Sequence, residues 1–390
     1  MDVEGVLSAT GYLLCEQQAL GVVSESVSLR SLHKLRSDPF GSKANVSRGN
    51  VEIFLDDLQL SLRESTKPPS PYGTLLLFDT TPPSLGRNPL GLSKAGARLV
   101  ELGAAIRVEV AYCASSPTAE QMRQELLLGS HDTAGNRAAA MHAVLCDSAF
   151  SSAAGLDDAQ RQQLVACAAC HQQLGSSQEW PLLPPIVVSL GFDSLSHIEA
   201  LDVLVSLGVA ATSCAFANMK LDGSAQRQQL AASLLQRGCH LLVDCLGHSA
   251  VFQVPGTEFP SDSRTLDALL ALLSIDSRWA ATQITLSHGD RGFKTQLLNF
   301  GGSGNFLDCG FVGSRLSVVP GWENMLGASL MRFLLEWYRA PPPFAVQEPP
   351  RIKCHMCENS FAMSDDHFSK FAFEYCSTAC LGKHRVLGWK

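Results

Sequence analysis

The sequence is poor in charged residues and has no excess of positive charge. Only 17% of its 390 residues are Asp, Glu, Lys or Arg, and 30 basic side chains against 37 acidic ones give a net charge of -7. A chain with net negative charge gains little by approaching phosphates, so duplex nucleic acid is not expected as its main partner. The 46% of hydrophobic residues can fill a sizeable core, which favours a globular protein.

The sequence also lacks an apolar leader and any long uninterrupted apolar run. Residues 1–4 (MDVE) are too acidic to open an ordinary secretory signal or transit peptide. Apolar runs such as 266–275 end well before the roughly 18 residues that indicate a membrane-spanning helix. Thirteen cysteines without a signal indicate reduced thiols that serve as core residues or metal ligands. We therefore expect an intracellular protein, in the simplest case cytoplasmic, with no membrane span.

Segments with strand character and helix character alternate along much of the chain. After a strand and turn within 6–23, strands are predicted at 74–78, 106–110, 138–145, 186–188, 211–215, 240–244 and 284–287. Helices are predicted between them at 89–102, 118–128, 157–174, 198–207, 225–237 and 265–273. This repeat of βα units predicts an α/β fold, the (β/α)8 TIM barrel. No glycine-rich phosphate turn follows the first strand, which disfavours a doubly wound open sheet.

One polar stretch begins where the last predicted strand ends. The strand is followed by Ser287, His288, Gly289 and Asp290, then by Lys294 and a glycine-rich loop, GGSG. The carboxyl ends of barrel strands are where ligands bind and chemistry is done. The stretch resembles the last strand and loop of the phosphotriesterase-like metal hydrolases of the amidohydrolase superfamily, with one residue inserted around the expected aspartate.

Further stretches resemble the same family in order and spacing, so the likeness covers most of residues 6–335. They are a strand with a Gly-Arg-x-Pro turn at 77–89, a strand and helix at 186–209, and the segment that enters the seventh strand at 236–244. The resemblance implies a TIM barrel over residues 1–339. It also implies two divalent metals that activate a water for attack on an ester or lactone.

The ligands that this resemblance calls for are replaced on the early strands. Residues 15–17 read CEQ where a His-x-His is expected on the first strand. The ligand of the fourth strand falls on Ala143 or its neighbour His142, and that of the fifth on Ser189. Because the metals generate the attacking hydroxide, a barrel without these ligands is expected to lack the family's chemistry.

The late strands depart from the family pattern in the same way. The sixth ligand falls near Asn218, and the final aspartate falls on Gly289 unless the insertion lets Asp290 take its place. We therefore predict a catalytically inactive barrel with no barrel metal, which keeps a cleft for binding and acts as a scaffold subunit of an intracellular assembly. The alternative is a hydrolase of esters, lactones or phosphoesters with an altered one-metal site built from Cys15, His142 and Asp290.

A second constellation follows a proline-rich linker at 340–350, in a short module at 351–390. Cys354 and Cys357 form a C-x2-C pair, and after 18 residues Cys376 and Cys380 form a C-x3-C pair. Two closely spaced pairs of thiolates predict one tetrahedral structural Zn²⁺. The metal can hold together a unit that is too small for a core of its own.

The second cysteine pair opens a helix predicted at 377–387. The run YCSTACLGKHR at 375–385 resembles the second half of a treble-clef or MYND/HIT-like finger. Such fingers usually bind a second zinc, but the further cysteines are absent here, so a single structural zinc is expected. His355 and His384 remain open as substitute ligands.

The module predicts a protein partner. Two other sequence features suggest different ligands, RNA and haem. The basic segment at 28–48, together with the module, leaves contact with RNA open. Cys167, Cys170 and His171 have the spacing of a c-type haem attachment site. They lie in a predicted outer helix of the barrel, so we interpret the cysteines as small core residues.

Overall fold

The structure, a computed structural model, describes parts of both halves of the chain. The described residues are 5–10, 72–79, 97, 107–129, 137–144, 155–176, 183–191, 194–217, 219–243, 246, 260–286, 309–326, 329, 333–334, 351–357, 360–362, 368–370, 373–375 and 378–386. The chain divides into two compact units, Met1–Ala340 and Pro341–Lys390. No helix in these ranges combines the length and the apolar character needed to cross a bilayer.

The larger unit is built on eight strands that follow one another in sequence order. They are β1 (Gly5–Thr10), β2 (Tyr72–Asp79), β3 (Arg107–Ala114), β4 (Ala140–Val144), β5 (Ile186–Ser189), β6 (Cys214–Ala217), β7 (His240–Val243) and β8 (Ile284–Leu286). Each strand pairs in parallel with the next. Parallel neighbours need a crossover connection, which helices supply. The predicted (β/α)8 TIM barrel is confirmed.

The described helices of this unit lie between and after the strands. They are α1 (Ala119–Leu127), α2 (Asp158–Ser176), α3 (His197–Ser206), α4 (Ala225–Gln236), α5 (Asp262–Leu273), α6 (Arg278–Thr282) and α7 (Cys309–Leu316). The predicted bounds of the first four agree with these to within two residues. Of the helix predicted at 89–102, only Ala97 lies among the described residues, in helical conformation.

The strand predicted at 211–215 is wrong at its start. Ala211–Ser213 form a 3-10 turn, and β6 begins only at Cys214. The preceding helix, α3, is followed by Gly208, whose φ of 84° reverses the chain. A turn is then needed to bring the backbone into the sheet, and it is closed by the N–H of Ser213, which donates to the carbonyl of Ala210 at 2.9 Å.

Successive strand residues separate the core into two layers. Met141 and Ala143 on β4 belong to the main core, which they share with helix residues such as Leu201. Val187 on β5 belongs instead to a second buried cluster that includes Leu334. Because side chains alternate between the two faces of a strand, the first layer faces the helices and the second lies inside the barrel.

Gly238 follows α4 in a backbone conformation that other residues rarely adopt. Its φ is +89°, and a Cβ built there would lie 2.8 Å from Cγ2 of Thr212. We expect Gly238→Ala to lower the free energy of unfolding by about 1–3 kcal/mol, because left-handed strain adds to this clash. Urea denaturation of the full chain measures the loss.

Gly223 provides a matched control for this substitution. Its φ is +77°, but a Cβ at Gly223 would meet nothing within 4 Å. The Gly223→Ala variant should therefore show the left-handed strain alone and lose less stability than Gly238→Ala. Equal losses in the two variants would contradict a cost from the contact with Thr212.

The described residues of the smaller unit form two short antiparallel ladders and a helix. β9 (Arg351–Lys353) pairs with β10 (Ser360–Ala362), β11 (Phe368–Lys370) pairs with β12 (Phe373–Tyr375), and α8 covers Thr378–Val386. The predicted helix at 377–387 is thus confirmed to within one residue at each end.

The described core of the smaller unit is small. Cys354, Tyr375 and Cys380 are its buried members, and Met356 and Leu381 pack against them. Apolar burial on this scale stabilises a short chain only weakly, and small domains usually add disulfides or a metal. Two of the three buried residues are cysteines, whose thiolates bind zinc, so the composition of this core favours stabilisation by a metal.

Candidate functional site

Three cysteines of the smaller unit converge. The Sγ atoms of Cys354, Cys357 and Cys380 all lie within 4.8 Å of one another. The first two lie on the turn after β9, and the third lies near the amino-terminal end of α8. Cys354 and Cys380 are buried, whereas Cys357 is exposed.

The chemistry and spacing of this donor set suit zinc. Tetrahedral Zn²⁺ holds thiolates at about 2.3 Å, which places the sulfur atoms about 3.8 Å apart, and the observed separations within 4.8 Å are compatible with that geometry. The fourth ligand predicted from the sequence, Cys376, lies outside the described residues.

The two histidines left open as substitute ligands contact other groups. Nδ1 of His384 lies 2.6 Å from the hydroxyl oxygen of Tyr375. The rings of His355 and His384 pack together with their centroids 4.9 Å apart. Within the described part of the unit, the group of three donor atoms that all lie within 4.8 Å of one another consists of cysteines alone.

This arrangement of a cysteine-bearing turn, a hairpin and a cysteine-bearing helix decides the class of the unit. Residues 351–388 match the Vms1-associating treble clef domain. The treble clef therefore extends from β9 through α8, and the finger resemblance predicted from the cysteine spacing is confirmed. Its cluster of three cysteines suggests a bound zinc ion.

Inside the barrel, polar side chains form pairs. Nε2 of His142 on β4 lies 2.8 Å from Oγ of Ser189 at the end of β5, and both residues are fully buried. His142 alternates along its strand with Met141 and Ala143, which face the helices. Of the two positions that the sequence left open on the fourth strand, the structure therefore places His142 in the interior.

A second polar group connects the last two strands. Nε2 of His240 lies 2.8 Å from Oγ1 of Thr285, which lies 2.8 Å from Oγ of Ser329. Ser329 also donates to the carbonyl of Ile284 at 2.6 Å. The ring of Phe333 stacks on His240 with a centroid distance of 5.0 Å. These buried hydroxyl and imidazole groups thus satisfy one another within the protein.

Solved structures with the same fold include proteins of the phosphotriesterase-like group. A resiniferatoxin-binding protein from Rhodobacter sphaeroides is 19% identical with a TM-score of 0.60, over 85% of this chain and 91% of that one. A phosphotriesterase homology protein from Escherichia coli, complexed with phosphate in its active site, is 14% identical with a TM-score of 0.54, over 82% and 93%. A lactonase from Listeria monocytogenes is 12% identical with a TM-score of 0.54, over 84% and 92%.

At these identities the comparison defines the fold. The barrel fold predicted from the sequence is confirmed, and the activity of the chain is a separate question because function resides in a site and not in a barrel. No curated protein sequence matches the chain significantly.

The run with haem-like spacing packs in the barrel core. Cys167 and Cys170 lie on α2 and are buried, with Sγ of Cys167 3.8 Å from Sδ of Met122. Burial raises the pKa of both thiols, that of Cys170 to about 12, and lowers the pKa of His171. The two thiols therefore remain protonated at neutral pH and act as small apolar side chains.

No motif in the sequence singles out His197, yet its environment is unusual. It begins α3 and is fully buried, and neither ring nitrogen has a hydrogen-bond partner in the described structure. Its ring packs against Phe216 with a centroid distance of 5.9 Å. Burial, reinforced by the positive charge of Arg227, lowers the pKa of His197 to about 3. His197 is thus a neutral ring within the core.

Several predicted sites fall outside the described residues and stay predictions. These are the CEQ run at 15–17, the basic segment at 28–48, the linker at 340–350, and the candidate residues Asn218, Gly289, Asp290 and Cys376.

Proposed function

We propose that this barrel is catalytically inactive and serves as a binding or scaffold subunit, with the treble clef holding one zinc and docking a protein partner. The observation that carries the proposal is the hydrogen-bonded pair of His142 and Ser189. These residues lie where the phosphotriesterase-like resemblance expects metal ligands on the fourth and fifth strands. A serine hydroxyl is not among the groups that normally bind zinc, and here it is bonded to the imidazole beside it.

The same pair gives no support for a different hydrolytic chemistry. A serine nucleophile must be presented to its substrate beside a base, and both Ser189 and His142 have 0% of their surface exposed. We therefore assign the pair a structural part, in which Nε2 of His142 and Oγ of Ser189 are hydrogen-bonded inside the barrel.

The treble clef supports the proposal of a protein partner. The matched family is described as Vms1-associating, which supports an association role for this chain as well. On α8, Lys383, Arg385 and Val386 are exposed, the last with 87% of its surface. An exposed apolar side chain beside two cations is suited to contact with a protein surface.

Purified full-length protein tests the proposal directly. We expect about one zinc per chain and no turnover above background with esters, lactones and phosphotriesters, with or without added Zn²⁺, Mn²⁺ or Co²⁺. Turnover that disappears in Asp290→Ala while the fold stays intact would replace the proposal with the one-metal hydrolase. More than one metal per chain would also contradict it.

The docking role has its own test. Proteins that co-purify with the full chain from cells should be lost from a Cys354→Ser, Cys380→Ser double variant, since the treble clef is expected to unfold without zinc. An unchanged set of partners would assign the docking surface to the barrel instead.

A further inference from the structure

Three rings of the treble clef form a continuous chain. We propose that Tyr375, His384 and His355 together position the cysteines that bind zinc, an inference that rests on the zinc site proposed above. The hydroxyl of Tyr375 lies 2.6 Å from Nδ1 of His384, and the two ring centroids are 5.7 Å apart. His384 also packs against His355, with their centroids 4.9 Å apart.

Two of the three rings are buried. Tyr375 has 0% of its surface exposed and His384 has 1%, whereas His355 is exposed. Tyr375 also belongs to the same buried cluster as Cys354 and Cys380. The three rings therefore extend from the buried cluster that contains Cys354 and Cys380 to the surface of the turn that carries the first cysteine pair.

Each ring is attached to a different ligand-bearing segment. His355 directly follows Cys354 on the turn, and Tyr375 ends β12 directly before residue 376. His384 lies four residues after Cys380 on α8, which places both side chains on the same face of the helix. The three rings thus join the turn and the helix that carry the converging cysteines with the strand that ends before Cys376, the fourth ligand predicted from the sequence.

The zinc affinity of such a site depends on how rigidly the ligands are held in the metal-free protein. The hydrophobic core of the unit is small, so the side chains that contact the cysteines must largely hold them in position. Outer groups that hold metal ligands typically change metal affinity by about 10–100-fold when they are replaced. Replacing Tyr375 by phenylalanine removes only the hydroxyl, and it leaves a buried nitrogen of His384 without that hydrogen bond.

The test measures zinc affinity in the full-length chain by competition with a chromophoric chelator. We expect Tyr375→Phe and His384→Gln to weaken zinc binding by about 10–100-fold while still binding about one zinc per chain when zinc is in excess. His355→Gln changes an exposed ring that is not expected to affect folding, and it should weaken binding by a smaller factor. Tyr112→Phe, which removes a buried tyrosine hydroxyl from the barrel, is the matched control and should bind zinc like the wild type.

The outcomes separate this inference from the zinc site itself. A wild-type chain that binds no zinc would overturn the site and the ring chain together. Zinc binding at wild-type affinity in both Tyr375→Phe and His384→Gln would overturn the ring chain alone. Loss of all zinc from His384→Gln at saturating zinc would make His384 a ligand and not a positioning residue.

Discussion

Replacement of Cys380 by serine should release the zinc and unfold the treble clef while the barrel stays folded. Structural zinc in small fingers contributes about 10–16 kcal/mol of apparent binding free energy, and this becomes folding free energy when the metal-free unit is unfolded. The described core of the treble clef has only three buried members, and two of them are cysteines of the cluster. Removal of one thiolate therefore weakens the metal and the core together.

Metal analysis and limited proteolysis measure this effect. Zinc content should fall from about one per chain to nearly none in Cys380→Ser and likewise in Cys354→Ser, and cleavage should concentrate in residues 341–390. Cys167→Ala is the control, because this buried cysteine lies in the barrel core. Its variant should keep the zinc and lose only barrel stability. Full zinc content in Cys380→Ser would refute the cysteine site.

Acidification should destabilise the barrel through His197. The pKa of this histidine is lowered to about 3 in the folded chain from an ordinary value of 6.5, chiefly by burial. Between these values the unfolded chain binds a proton that the folded chain does not. The stabilising effect of the neutral ring is therefore complete above about pH 6.5 and is lost as the pH falls towards 3. At pH 5 the loss is about 2 kcal/mol, at 1.36 kcal/mol for each pKa unit.

Urea denaturation at pH 7.5 and pH 5 tests this prediction in the wild type and in His197→Phe. Phenylalanine keeps an aromatic ring against Phe216 but cannot take up a proton. Between pH 7.5 and pH 5 the free energy of unfolding should fall by about 2 kcal/mol less in the variant than in the wild type. The packing cost of the substitution does not affect this comparison, because each protein is compared with itself at the two pH values. The same pH dependence in wild type and His197→Phe would refute the assignment.

Local pattern was enough to predict the barrel because each βα unit carries its own signal. The helix α4, for example, was expected at 225–237 and covers Ala225–Gln236. The error at β6 arose because the small residues Ala211 and Ser213 and the β-branched Thr212 suit a strand as well as a turn. Their structure depends on the reversal at Gly208, which a local pattern does not show.

The sequence does not indicate the burial of His197 or the contacts among the three rings of the treble clef, for a related reason. Whether a histidine is buried and neutral depends on the side chains around it, and Phe216 comes from the next strand. The hydrogen bond between Tyr375 and His384 likewise joins a strand end to a helix. Spacing indicates that these residues are near one another in the chain, but not which atoms meet.

By itself the sequence determined the α/β barrel, the position of the treble clef and the cysteines from which its metal site is built. These follow from periodicity and from short spacings, which limit the backbone locally. Only the tertiary structure decided that His142 points inward to Ser189, 47 residues away, and that Cys380 meets Cys354. Contacts between distant residues depend on strand register and on the packing of whole elements, and these are properties of the folded chain.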